Sequence, residues 1–414
     1  MKINNLLNRN IFYLSIVQGS NFLLPLITFP YLVRVLGPHN FGLLGFCQAT
    51  MQYLVLLTDY GFNWTGTRLV ATNKNNANKI DSIFWSILYA KIAFSIIALL
   101  ILIVLCVFIE KYNSLWLIML SLFPMVIGSI IYPIWFFQGL EKMRLVTICT
   151  VTSRLLIIPF IFVYVREPSD ILNAALIQSL VYLVAGIMAL IIIKRKGLVN
   201  EHCFNVNEII KCITDSWYIF ISTSAISLYT TSTAIILGFV SGPAAVGYFN
   251  AANTIRSAAQ NLLTPITQAL YPHISGLIVS DYKSALTIIR KSLRIVGFIS
   301  FVGGVLLFCF SPQIVEIGIG KSYVESIDVL RIMAFVPFIV MLSNIFGVQT
   351  MLPLNYKKQF SMILIIGAVF NLCLIFPLTI LYSQNGAALS LLSTEILVTV
   401  LMYIFIKRKR IGIF

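Results

Sequence analysis

The stretch LGPHNFGLLGFCQAT (residues 36–50) returns half a chain later as SGPAAVGYFNAANTI (residues 241–255), where Gly37, Pro38 and Gly42 fall on Gly242, Pro243 and Gly247 at a constant offset of 205 residues. A Gly-Pro step ends a helix and a second glycine permits a tight return, so each copy reads as a hairpin between adjacent helices. The echo extends outward. AALIQSLVYLVAGIMALIIIKRK (residues 174–196) matches AALSLLSTEILVTVLMYIFIKRK (residues 387–409) at both ends, and SRLLIIPF (residues 153–160) matches NLCLIFPL (residues 371–378), setting Pro159 on Pro377. The whole unit is therefore written twice, as residues 1–196 and 212–414, joined by a hydrophilic linker over 197–211.

Composition sets the class of both halves. Of 414 residues 59% are hydrophobic and only 10% charged, whereas a soluble domain carries about 25% charged residues. Apolar runs long enough to cross about 30 Å of hydrocarbon as helix occur near residues 11–33, 41–62, 82–109, 115–138, 144–165 and 171–193. Six more follow near 213–239, 246–274, 288–310, 326–351, 359–382 and 386–406. Runs of this length exclude the short alternating strands of a membrane barrel. The expected fold is an all-α integral membrane protein of twelve helices in two six-helix bundles. Six is even, so the halves enter the membrane in the same direction. They are parallel repeats, a scheme in which transporters bind substrate between the halves.

The net charge of +15 is explained by its placement. With a cytoplasmic N-terminus, 21 of the 29 basic residues fall in loops or helix ends on that side, in clusters such as Lys194–Lys196 and Lys407–Arg410. The other side holds Arg34, Lys111, Arg166 and Lys321. This is the positive-inside asymmetry of a multi-pass protein with both termini cytoplasmic, and it requires no nucleic-acid partner. The first apolar run is too long for a signal peptide and lacks a small-residue cleavage site, so it reads as a retained helix.

Polar groups inside the spans mark a passage. In the eighth run Asn250, Asn253, Ser257, Gln260, Thr264 and Thr267 recur at steps of three or four, which is one helix face. The second run, shifted by the repeat, sets Gln48 on Asn253, Gln52 on Ser257 and Asp59 on Thr264. The first run adds Gln18, Asn21 and Thr28. Such groups face a water-filled cavity or a partner helix, and single Ser or Thr residues also serve as polar glue between packed helices. The ionisable residues singled out within spans are Lys91, Arg154, Arg256 and Glu395, with Arg34 and Asp59 near helix ends. A central arginine costs about 2.5–3.5 kcal/mol on insertion scales, so such residues mark pathways or ion pairs. Lys91 can also snorkel, and Glu395 can pair with Arg154. The interior balance is cationic. It suits phosphate or pyrophosphate, with Arg34, Lys91, Arg154 and Arg256 as headgroup ligands, the amides of Gln48, Gln52, Asn253 and Gln260 for sugar hydroxyls, and Asp59 and Glu395 as titrating sites for ion coupling.

Enzyme signals are weak. GIGKS (residues 318–322) lacks the upstream glycine of a phosphate-binding loop, three histidines show no ligand spacing, and seven cysteines form no C-x-x-C pair. No catalytic or metal site and no cofactor is expected. A membrane-embedded glycan polymerase or transferase is the alternative of a different class, and no outer loop is long enough to hold its acceptor.

The stretches FPYLVRVLGPHNFGLLGFCQAT (residues 29–50), TDYGFNWTGTR (58–68), PIWFFQGLEKM (133–143), the segment 222–256 and PITQALYPHIS (265–275) resemble the polysaccharide biosynthesis flippases, the Wzx-type O-antigen transporters. The resemblance runs through the whole chain in order. It implies the fold of the multidrug/oligosaccharidyl-lipid/polysaccharide exporters, two six-helix bundles forming a V. It also implies an undecaprenyl-pyrophosphate-linked oligosaccharide as substrate, carried from the cytoplasmic to the periplasmic leaflet of a bacterial inner membrane by alternating access. An O-antigen polymerase and a chain-length regulator are the partners it implies. A drug/cation antiporter of the same fold is the alternative, and it would favour acidic residues inside.

Overall fold

The computed structural model describes residues 2–200, 204–262, 267, 270–271, 274–278 and 281–413, with side chains described for the same residues except 2–26, 222, 225, 226 and 229. Gln18, Asn21 and Thr264 of the expected stripes therefore lie outside the described side chains. Among the described residues every regular element is helical, and eight helices are long and apolar enough to cross a membrane. Their outer faces are greasy: Ile96, Leu100, Ile103 and Val107 of the helix Ala77–Phe108 are all exposed. A continuous apolar exterior of this kind would aggregate in water and is at home in lipid. The chain is a multi-pass membrane protein.

The repeated loops share one backbone geometry. The helical track Lys2–Asp59 breaks at Gly37 (φ 68°, ψ 171°), and Gly242 (φ 86°, ψ 176°) precedes the helix Pro243–Asn261. Both glycines take a positive φ that other residues avoid, and both are followed by a proline suited to a first helical position. The second glycine of each copy, expected to serve the turn, does something else. Each lies inside the new helix and permits a crossing. A Cβ on Gly42 would overlap the carbonyl oxygen of Pro243, and one on Gly247 would overlap the carbonyl oxygen of Pro38. Two helix N-termini thus meet backbone to backbone, a contact that only glycine allows. Gly45 similarly leaves room for the Asn250 amide.

The chain divides into two compact units, residues 1–36 with 47–224 and residues 37–46 with 225–414. The first is built on an aromatic core that includes Phe62, Phe84, Trp135, Phe136 and Phe137. Glycines set its helix spacing: Gly66 lies against the Trp135 ring, Gly128 against the Tyr182 backbone and Gly186 against Ile131. The helix Met143–Tyr164 contains Pro159, which cannot donate to the carbonyl one turn earlier. The second unit has an aliphatic core including Ile289, Val296, Ile345, Met402 and Ile406. Its last helical track, Lys357–Arg408, contains Pro377 and breaks at Ser383 (φ 51°). Asn371 donates to the hydroxyls of Ser390 and Thr394, both 3.0 Å away, and so ties the two arms of that break together.

In the first unit the second apolar run also breaks, at Tyr60 (φ 46°) and Gly61 (φ 81°). Lys91 braces this break. Its ammonium, 2% exposed, meets Asp59 at 2.8 Å and donates to the Ser129 carbonyl, while Asn63 donates to the other Asp59 oxygen at 2.7 Å. Tyr60 stacks between Phe94 and Phe220.

Two stability predictions follow from these contacts. Gly42→Ala and Gly247→Ala should each destabilise the solubilised protein by about 3 kcal/mol, the upper range for overpacking. Gly303→Ala, where an added Cβ meets nothing within 4 Å, should be neutral or stabilise by up to about 1 kcal/mol. Thermal unfolding in detergent separates the two classes, and equal melting shifts for all three would refute the crossing. For the ion pair, Asp59→Asn strands the more deeply buried Lys91, at a cost of about 3–5 kcal/mol. Lys91→Met leaves Asp59, at 23% exposed and still bonded to Asn63, better solvated. It should cost less, and the double variant should recover most of the membrane abundance that Asp59→Asn loses.

Candidate functional site

A cavity of about 250 Å³ opens inside the first unit. Gln48 and Gln52 reach it from one face of the helix 38–59, being four residues apart. Arg154, Ile158 and Ile161 line it from one face of Met143–Tyr164. Gln178, Ser179, Val181 and Tyr182 come from Ile171–Arg195, with Thr28, Leu122 and Met125 completing the wall. The close approach of Gly128 to the Tyr182 backbone fixes the position of that wall.

The amides in this cavity are only partly committed. Gln48 Nε2 donates to Gln178 Oε1 at 2.8 Å, which leaves the Gln48 carbonyl oxygen as an acceptor and the Gln178 NH₂ as a donor. Ser179 is satisfied by the carbonyls of Ser121 and Leu176. An arginine, three glutamines and a tyrosine set among isoleucine, leucine and methionine can bind a small polar or anionic guest through directed hydrogen bonds against apolar walls. Among the described lining residues none carries a carboxylate.

The second unit carries a separate cationic centre. Arg256, on the helix Pro243–Asn261, donates from Nε to Asn253 Oδ1 at 2.9 Å, from Nη1 to Gln260 Oε1 at 2.6 Å and from Nη2 to Ser257 Oγ at 2.8 Å. All three acceptors lie on its own helix. Glu395, on the last helical track, interacts electrostatically with Arg256, and the two helices pack against one another.

The expected site residues thus separate into groups. Gln48, Gln52 and Arg154 come together in the first unit, and Arg256, Asn253, Gln260 and Glu395 come together in the second. The helix that carries Arg256 packs against the helical track that carries Glu395, and the charge that acts on Glu395 within its own unit is Arg256. Lys91 and Asp59, read from sequence as headgroup ligand and ion-coupling site, are bonded to each other. Arg34 is exposed and is not among the described lining residues of the cavity. Gln178 and Tyr182 were missed. A lone Gln in the apolar stretch LIQSLVYLV was the available signal, and the repeat conceals it because its counterpart is Leu391.

Comparison with known proteins agrees with this architecture. The family model described as polysaccharide biosynthesis protein matches residues 7–278. A protein of Escherichia coli (strain K12) is 47% identical over 99% of both chains. One of Shigella dysenteriae is 33% identical over 96% of this chain and 99% of its own. Both carry the name "Putative O-antigen transporter". Among solved structures, the lipid II flippase MurJ in an inward closed conformation has a TM-score of 0.75 at 14% identity, covering 96% of this chain and 87% of its own. An inward-facing multidrug resistance transporter of the MATE family has a TM-score of 0.73 at 14% identity, with 97% and 98% covered. These two likenesses establish the fold, and the sequence matches establish the kinship: the chain belongs to the polysaccharide biosynthesis protein family.

Proposed function

We propose that the protein is a flippase that carries an undecaprenyl-pyrophosphate-linked oligosaccharide repeat unit from the cytoplasmic to the periplasmic leaflet of a bacterial inner membrane by alternating access. The observation that carries this reading is the cavity of the first unit, where Arg154 and three glutamines line a space of about 250 Å³ inside a lipid-embedded bundle. Polar and charged groups inside membrane-spanning helices are costly to retain and mark a substrate path. The lining chemistry of Arg154 and the three glutamines favours sugar hydroxyls and phosphate oxygens over the cations of a drug/cation antiporter. Arg256 serves as the second cationic group and meets the pyrophosphate. The polyprenyl tail stays in lipid throughout, so only the head needs a polar path. Relatives named as O-antigen transporters support the substrate class.

The charge asymmetry supports a cytoplasmic location for both termini and the segment 197–211. Reporter fusions after Arg195 and after Lys321 should report cytoplasmic and periplasmic locations respectively. The reverse pattern would sink the assigned direction. Arg154→Ala should reduce surface glycan by about ten- to a hundredfold, the effect of losing one charge-assisted contact. Arg154→Lys should retain part of the activity, and both variants should reach wild-type abundance in the membrane fraction. Normal glycan in the alanine variant would remove this cavity from the transport path.

A further inference from the structure

The guanidinium of Arg256 is unusually constrained for a residue that has to meet a mobile substrate. Of its five N–H groups, three are held by Asn253, Ser257 and Gln260, which leaves one on each terminal nitrogen. Those two form the fork that binds an oxyanion bidentately. Glu395 acts on the guanidinium through space without closing on it: among the described residues its carboxylate makes neither a hydrogen bond nor a contact ion pair. It is half-buried. A carboxylate and an arginine on packed helices, both freed of their restraints, would collapse into a contact pair in this low-dielectric setting. In the structure the guanidinium is instead held along its own helix by the bonds to Asn253, Ser257 and Gln260.

We propose that Asn253 and Gln260 are positioning residues that hold the Arg256 fork open, so that Glu395 is a displaceable counter-ion whose place the pyrophosphate takes. The inference rests on the reading of Arg256 as the pyrophosphate ligand. It gives the two amides a role different from direct contact with substrate. With the amides in place, the fork faces an incoming anion at full strength while Glu395 balances its charge in the empty state. Without them the arginine pairs with Glu395, and the anion has to break that pair to enter.

The test is binding of inorganic pyrophosphate to the purified full-length protein in detergent, followed by calorimetry, with monodispersity on size exclusion as the folding control. Glu395→Gln, a near-isosteric change, should tighten binding about tenfold by removing the competing charge. Asn253→Ala combined with Gln260→Ala should weaken it about tenfold, and adding Glu395→Gln to that pair should restore at least wild-type affinity. Two results overturn the positioning role: unchanged or weaker binding in Glu395→Gln alone, or failure of that change to rescue the double variant, as direct substrate contact by the amides would give. Arg256→Ala separates the two levels. If the unaltered protein binds no pyrophosphate, or Arg256→Ala binds it equally well, the reading of Arg256 as ligand falls and the inference with it. If Arg256→Ala loses binding but the rescue fails, the positioning role falls alone.

Discussion

Two tracks of candidate site residues hang from two helix N-termini that cross at Gly42 and Gly247. Each glycine lies on the other helix's proline carbonyl, Gly42 on Pro243 and Gly247 on Pro38. In lipid no hydrophobic drive brings helices together, so close backbone approach and the dispersion it allows must do so. The helix that leaves one side of the crossing carries Gln48, Gln52 and Asp59, and the helix that leaves the other carries Asn253, Arg256 and Gln260. A side chain at either glycine would shift an entire track of candidate site residues, since a rigid helix passes a displacement at its first turn to every residue beyond.

The interior balances charge in two different ways. Lys91 and Asp59 are in direct contact, with the Ser129 carbonyl as a further acceptor for the ammonium and Asn63 as a further donor to the carboxylate. A pair closed in this way supports structure and offers little to a ligand. Arg256 and Glu395 interact without touching, and the hydrogen bonds of the arginine go to neutral neighbours on its own helix. The distinction is one of geometry rather than residue type, since both are cation–carboxylate couples between different helices of one unit.

Much of this was legible in the amino-acid order. The repeat, the helical class and the two stripes follow from offsets and periodicity, and Gln48 with Gln52 on one helix face is an i, i+4 relation that any helix enforces. Partner choice was not legible. Lys91 and Asp59 stand 32 residues apart, and no local rule connects them. Arg256 and Glu395 are brought into one neighbourhood because the helices Pro243–Asn261 and Lys357–Arg408 pack together, which is a fact of tertiary packing. The break at Tyr60 and Gly61 was hidden because an apolar run continues through it, and hydropathy does not register backbone angles. Gln178 was hidden for a related reason, since one amide makes no period.

The crossing of the two loops has a further meaning for how such a chain comes to exist. Equivalent residues of the two copies meet each other, proline to glycine and glycine to proline, which is the pattern of an isologous contact where one patch recognises itself. A single six-helix ancestor with this loop would already have possessed the surface needed to associate with its twin. Around the shared seam the copies carry different chemistry, Gln48 against Asn253 at one repeat position and Gln52 against Ser257 at the next, while the seam itself is glycine in both.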